Sequence, residues 1–175
     1  MTSKQNNKSL ITRAKKLIQK NQAMTLSTAL NNQAWAAPVF YVNSGDSFYF
    51  FSSPNARHII EALASGQAAC TIYEEGASWQ NLMGLQMSGK VLNVPAGVEA
   101  SKAFFAYIKK FPLVKTFFSD IKNIGFNDFS TRLHTKLYCF IPESVLFMDN
   151  SVHFGFRTEI KSDIKPDIKK DTLFK

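Results

Sequence analysis

An aromatic run, Phe48-Tyr49-Phe50-Phe51, passes directly into Ser52-Ser53-Pro54-Asn55-Ala56 and then into Arg57-His58-Ile59-Ile60-Glu61-Ala62. The run reads as a strand, because aromatic side chains suit the pleated, half-buried surface of a sheet. The apolar spacing after it predicts a helix over 55–64, with Ser53 as N-cap, Pro54 at the first helical position and Ser65-Gly66 as the stop. A strand that feeds a helix start through hydroxyl residues builds an anion site. Free backbone N–H groups, the hydroxyls of Ser52 and Ser53 and the helix dipole all favour a negative ligand there. Arg57 and His58, in the first turns, are near enough to reach a phosphate. The competing reading is an ordinary capped helix with solvated basic residues.

The chain has 175 residues, 45% of them hydrophobic and 16 of them Phe, which is enough for one domain with a substantial core. It contains no apolar run of about 18 residues or more, so a membrane-spanning helix is not expected. The polar start Met1-Thr2-Ser3-Lys4 lacks an apolar signal core, and the expected location is the cytoplasm. Cys70 and Cys139 lie in strand-like apolar runs without CxxC or metal spacing, and are expected to be buried thiols. The net charge of +8 draws anions. Its lysines and arginines are dispersed toward both ends, however, and no nucleic-acid motif accompanies them, so nucleic acid is not an expected partner.

Leu10, Ile11, Ala14, Leu17 and Ile18 recur at helical spacing and predict an amphipathic N-terminal helix. Strands are predicted over 24–30, 34–42 and 47–51, with Asn31-Asn32 and Asn43-Ser44-Gly45-Asp46 as turns. Further strands are expected over 67–73 and 82–94, where Gly84 and Gly89 signal a bulge or a close backbone approach. Helices follow over 98–110 and 113–121. Strands over 133–141 and 144–149, broken at Pro142, and a last one over 151–157 complete the pattern. Beyond them Ile160, Ile164 and Ile168 recur every four residues, but Pro166 interrupts any continuous helix. The expected organisation is therefore one domain over 1–157 and a basic, loosely ordered tail over 158–175. Hairpin-linked strands flanked by helices describe a mainly β antiparallel barrel decorated by helices.

Side chains that could carry chemistry are few. His58, His134 and His153 are far apart and lack zinc-site spacing, so no metal site is expected. There is no GxSxG elbow, GxGxxG turn or P-loop, and the one adjacent acid pair, Glu74-Glu75, lies in a loop. An enzyme of this composition would depend on a bound cofactor. Most of Phe40, Tyr41, Phe48, Tyr49, Phe50 and Phe51 should be core. Trp79, in a glycine-containing loop, reads as a lid or interface residue. Gln86 and Gly84 share one strand face, which suits a planar ligand or simply solvent.

In this order, Ala34-Trp-Ala-Ala-Pro-Val-Phe-Tyr-Val42, the Phe48–His58 segment, Gln67–Tyr73 and Leu85–Val91 resemble the pyridoxamine 5′-phosphate oxidase-like, FMN-binding split-barrel superfamily. The segment Val145–Phe156 looks closest to its small bacterial YhbP-like branch. The resemblance covers residues 8–157 and rests on the ordered pattern. It implies a homodimeric split β-barrel whose two sites are completed by the partner subunit. It also implies FMN as cofactor, with the phosphate at Ser52, Ser53, Arg57 and His58 and the isoalloxazine against Ala36, Ala37, Pro38, Val39 and the strand end at Phe51. Gln86 is the polar candidate on the neighbouring sheet face. His58 stands where many members have Lys, Ala34 where the oxidases proper have Arg, and Gly84 where they have Gln. The substrate-binding Arg and His of the vitamin oxidase have no match in the C-terminal segment. The expected function is accordingly a flavin-dependent oxidoreductase of unknown small-molecule substrate, not pyridoxamine phosphate oxidation itself. The alternative is a non-enzymatic binder of flavin or haem, a carrier or sensor, with His153 or His134 as iron ligand.

Overall fold

The computed structural model describes residues 3–74, 78–112 and 125–160. The helix expected over 113–121 and the isoleucine repeat beyond Ile160 lie outside them. Asn31 and Asn32 adopt φ of 51° and 61°. Two successive left-handed residues are what a two-residue hairpin turn needs, and Asn tolerates that conformation. The turn joins β1 (Ala23–Leu30) to β2 (Gln33–Phe40), in register from Leu30 opposite Gln33 to Ala23 opposite Phe40.

The remaining strands are β3 (Val42–Ser44), β4 (Ser47–Ser52), β5 (Ala68–Glu74), β6 (Met83–Asn93), β7 (Lys136–Asp149) and β8 (Arg157–Glu159). All pair antiparallel in the order β2-β1-β5-β6-β7-β4-β3, with β8 also on β7. The strand expected over 34–42 is thus two strands, one at each edge of the sheet, with only Tyr41 between them. One residue can span that gap only if the sheet curls until its edges meet. Tyr41 holds this corner: its side chain is fully buried, its N–H donates to the Gln22 carbonyl at 3.1 Å and its hydroxyl to the Ile18 carbonyl at 2.7 Å.

Strand alternation sorts the side chains into two cores. Phe48 and Phe50 of β4 point into the barrel with Leu26, Leu85, Met87, Tyr138, Phe140 and Phe147. Ala14 and Leu17 of α1 (Ser3–Lys20), with Ile59 and Ala62 of α2 (Arg57–Ser65), pack against the same cluster. Tyr49, Leu137 and Cys139 point outward and are covered by α3 (Val98–Lys110) and α4 (Phe126–Arg132), through Ala103, Phe104, Tyr107 and Phe129. The β4–β7 ladder is therefore buried on both faces, which is why its sequence is a continuous apolar run. Each fully buried Phe or Leu contributes about 1.5–3 kcal/mol relative to exposure. Phe40 departs from the expected core: it is exposed, and its ring meets Phe111 edge-on at 5.3 Å.

Pro142 does not end a strand. β7 runs through it, and the β6–β7 register shifts so that Ser88 faces Ser144 while Gly89 faces Pro142, leaving Glu143 as a bulge. Proline lacks a ladder donor, and a bulge is where a strand tolerates that loss. A Cβ on Gly89 would overlap the Ile141 carbonyl, so the close approach expected there is present.

The strand expected over 151–157 is instead mostly a loop. Asp149 accepts the Ser151 N–H and hydroxyl at 3.0 and 2.6 Å, Asn150 accepts the Gly155 N–H at 3.1 Å, and Gly155 takes φ of 76°. Side-chain capping of this kind outcompetes strand pairing. The ladder resumes at β8, and the Ile160 N–H donates to the Val145 carbonyl at 2.9 Å, so paired structure continues past the boundary expected at 157. Asp149 is buried and forms an ion pair with Arg13, which ties α1 to the barrel.

Candidate functional site

The helix after β4 begins at Arg57, two residues later than its apolar pattern suggested, and Ala56 is its N-cap with no side-chain hydrogen bond. Ser53 does not cap it. The Ala56 N–H donates to the Ser53 carbonyl at 3.0 Å, and the Asn55 N–H to Ser53 Oγ at 3.3 Å. Residues 53–56 thus form a β-turn in which Pro54 holds the second position, where its fixed φ fits. Turn chemistry has won over cap chemistry. The start of α2 is left without a side-chain cap, and N–H groups at such a helix start can donate to an anion.

Ser52 is the last residue of β4, on the inner face shared with Phe48 and Phe50. Its Oγ lies 2.9 Å from His58 Nε2. Burial lowers the His58 pKa from its ordinary 6.5, while the Glu61 charge pulls it the other way. His58 is therefore largely neutral at pH 7. Arg57 Nε donates to Glu61 Oε1 at 2.6 Å, and Thr28 Oγ1 donates to Glu61 Oε2 at 2.5 Å. The Thr28 hydrogen bond first, and the Arg57 bond second, hold the Glu61 carboxyl below its ordinary pKa. The Arg57 guanidinium also lies 4.6 Å over the Trp35 ring, and Trp35 pairs directly with Thr28 across β1 and β2. Glu61, Thr28 and Trp35 had no place in the sequence reading. The spacing of Glu61 four residues after Arg57 was the available signal for that pair; nothing local marks Thr28.

The structure separates some expected residues. The Phe51 side chain points away from Ser52, into the second core, with ring centroids 4.6 Å from Phe129 and 5.1 Å from Tyr107. It offers the junction backbone only, because neighbours along a strand face opposite ways. Val39 is buried, whereas Ala36 and Pro38 are exposed on the outer face. β2 is an edge of the sheet path, so its outer side is open to hydrogen bonding by a ligand or another chain. Gln86 is exposed and sits in one cross-strand row with Thr71, Thr25 and Pro38, three strand spacings, or about 14 Å, from β2. Within one chain it does not join the Ser52–His58 junction.

Cys70 and Cys139 are buried thiols, and burial pushes both pKa values far up, Cys139 to about 12. His134 is exposed in the turn before β7 with φ of 49°. His153 is exposed in the β7–β8 loop, its Nδ1 3.2 Å from the Phe154 carbonyl. Trp79 is exposed as well, and it meets the Phe154 ring edge-on at 5.6 Å. No described helix is long and apolar enough to cross a membrane.

A curled antiparallel sheet with its edges joined at one corner, flanked by helices, is the split barrel of the pyridoxamine 5′-phosphate oxidase fold. The family model for pyridoxamine 5′-phosphate oxidase matches residues 10–120, well over half of the chain, and the chain belongs to that family. A UPF0306 protein of Klebsiella pneumoniae is 22% identical over 148 residues, covering 83% of this chain and 89% of its own length. Solved structures share the fold at low identity. HutZ, the haem storage protein of Vibrio cholerae, superposes with a TM-score of 0.62 at 14% identity, covering 77% of this chain and 90% of its own. An FAD-binding protein of Mesorhizobium loti gives 0.59 at 15% identity, covering 77% and 89%. Neighbours of this fold thus include both flavin and haem binders.

Proposed function

We propose that the chain binds FMN as a homodimer, in the cytoplasm, and serves as a flavin-dependent oxidoreductase of a small molecule. The observation that carries this reading is the junction itself: Ser52 bonded to His58 at the uncapped start of α2, beside the edge strand that carries Ala36 and Ala37. These features fit the two ends of FMN. The phosphate would be held by Ser52, Ser53, Arg57 and His58. With its proton on Nε2, His58 donates to Ser52 Oγ and leaves the Ser52 hydroxyl proton to donate to a phosphate oxygen. Ala36 and Ala37 allow a planar ring to approach β2, whose open edge presents N–H and C=O groups to the polar rim of an isoalloxazine. Bound flavin would supply hydride or electron transfer.

Titration of the protein with FMN, followed by flavin fluorescence, tests the reading. Saturable quenching at micromolar concentration is expected, and no saturable change at tens of micromolar would end it. Light scattering tests the dimer, and a clean monomer would remove the shared site. A haem carrier is the second reading, favoured by the exposed His153 beside Phe154 and Trp79. A stoichiometric Soret complex lost in His153→Ala, with no flavin bound, would reverse the order of the two.

A further inference from the structure

We propose that Lys136 supplies the net positive charge of this junction, and so sets its preference for a phosphorylated flavin over the same flavin without its phosphate. The inference rests on the FMN reading above. Lys136 opens β7 directly opposite Ser52 in the β4–β7 ladder. Side chains so paired stand about 4.5–5.5 Å apart at Cβ. Alternation puts Lys136 on the face of Tyr138 and Phe140, the face that Ser52 shares with Phe50. The Lys136 side chain therefore leaves the ladder on the same face as Ser52, at the strand end where Ser52 meets His58.

Charge at that strand end is short without it. Arg57 is held by Glu61 at 2.6 Å, and their charges cancel. His58 is half-buried and largely neutral at pH 7. The sum of these three groups is zero, and a phosphate approaching them also meets the Glu61 carboxylate. Lys136 is exposed, and among the described residues no carboxylate lies within 4.0 Å of it. An ammonium with no carboxylate beside it among the described residues, at the strand end next to Ser52, is placed to pair with a phosphate at the start of α2. A surface lysine elsewhere on the barrel would be a solvated charge of no consequence. The register with Ser52 is what distinguishes this one.

The test uses FMN and riboflavin side by side. Lys136→Met should weaken FMN binding by roughly 10–100-fold, the scale of a charged hydrogen bond, and leave riboflavin binding unchanged. It should also flatten the salt dependence of FMN affinity, and Lys136→Arg should restore both. Equal effects on the two flavins, or none on either, would overturn the proposal. Wild-type protein that binds neither flavin would instead overturn the FMN reading. Thermal shift with inorganic phosphate then decides Lys136 by itself: stabilisation abolished in Lys136→Met supports it, and its persistence, or no stabilisation at all, overturns it.

Discussion

Glu61 accepts the Thr28 hydroxyl at 2.5 Å through one carboxylate oxygen and the Arg57 guanidinium at 2.6 Å through the other. A single buried acid thus pins α2 to β1 and at the same time neutralises the arginine nearest the anion site. Glu61→Gln separates the two effects. It keeps the shape and one acceptor but removes the charge. The variant should melt at lower temperature than wild type, because a charge-assisted hydrogen bond to Arg57 is lost. It should nevertheless bind FMN several-fold more tightly, because Arg57 is released and the repulsive carboxylate is gone. Calorimetry and flavin titration on the same sample check the pair; a fall in both stability and affinity would show that Glu61 positions Arg57 for the ligand.

His58 makes folding pH-dependent in a defined direction. Its folded pKa lies below 6.5 because of burial, so in mild acid the unfolded chain takes up a proton before the native one does. The unfolded state then binds more protons, and stability falls as pH drops from 6.5 toward the folded pKa. His58→Gln should lose this component. Urea midpoints for wild type and variant should converge between pH 7.5 and 5.5, with the wild type losing more. Bound phosphate favours the charged imidazole, so FMN should reduce the acid sensitivity of the wild type.

Lys110 should act at the opposite end of the pH scale. Burial brings its pKa down to about 8, although its ammonium donates to the Asn21 carbonyl at 2.8 Å and lies 4.0 Å over the Tyr41 ring. Above pH 8 the native state loses this proton while the unfolded chain keeps it until about 10.4, so the lysine's contribution rises with pH in that window. Wild type should gain on Lys110→Met between pH 8 and 10 by about 1 kcal/mol, less than the full shift implies because the side chain is half exposed. Chemical denaturation at matched ionic strength measures the difference.

Gly89→Ala should cost about 2–3 kcal/mol, since its methyl group meets the backbone of Ile141 and Pro142, which cannot rotate away. Gly84→Ala should cost less, because the nearest atom, the Ile72 carbonyl oxygen, is 3.2 Å from the added carbon. Urea unfolding should rank the two; equal costs would mean that the bulge at Glu143 relaxes.

Local chemistry made much of this fold legible. Asn31-Asn32 and Gly89 each carry a backbone requirement in their own identity, and α3 has the bounds that its periodicity predicts. What failed was competition between two local signals. Ser53-Pro54 can cap a helix or open a turn, and the turn prevailed. Pro142 can end a strand or sit in a bulge, and the glycine across the ladder decided for the bulge. The site was half legible for a related reason. Ser52, Arg57 and His58 are neighbours in sequence, whereas Thr28, Trp35 and Lys136 reach the junction only through strand register, which no window of residues encodes.

The β4–β7 ladder that ends at Ser52 and Lys136 lies between two cores. Its amides can meet solvent only when the whole barrel opens, so Phe48–Phe51 and Leu137–Phe140 should be the last to exchange their hydrogens for deuterium. A ligand arriving at the end of such a ladder finds its polar groups already fixed. Little conformational freedom is surrendered when it docks, and the junction should have almost the same backbone with the anion as without it.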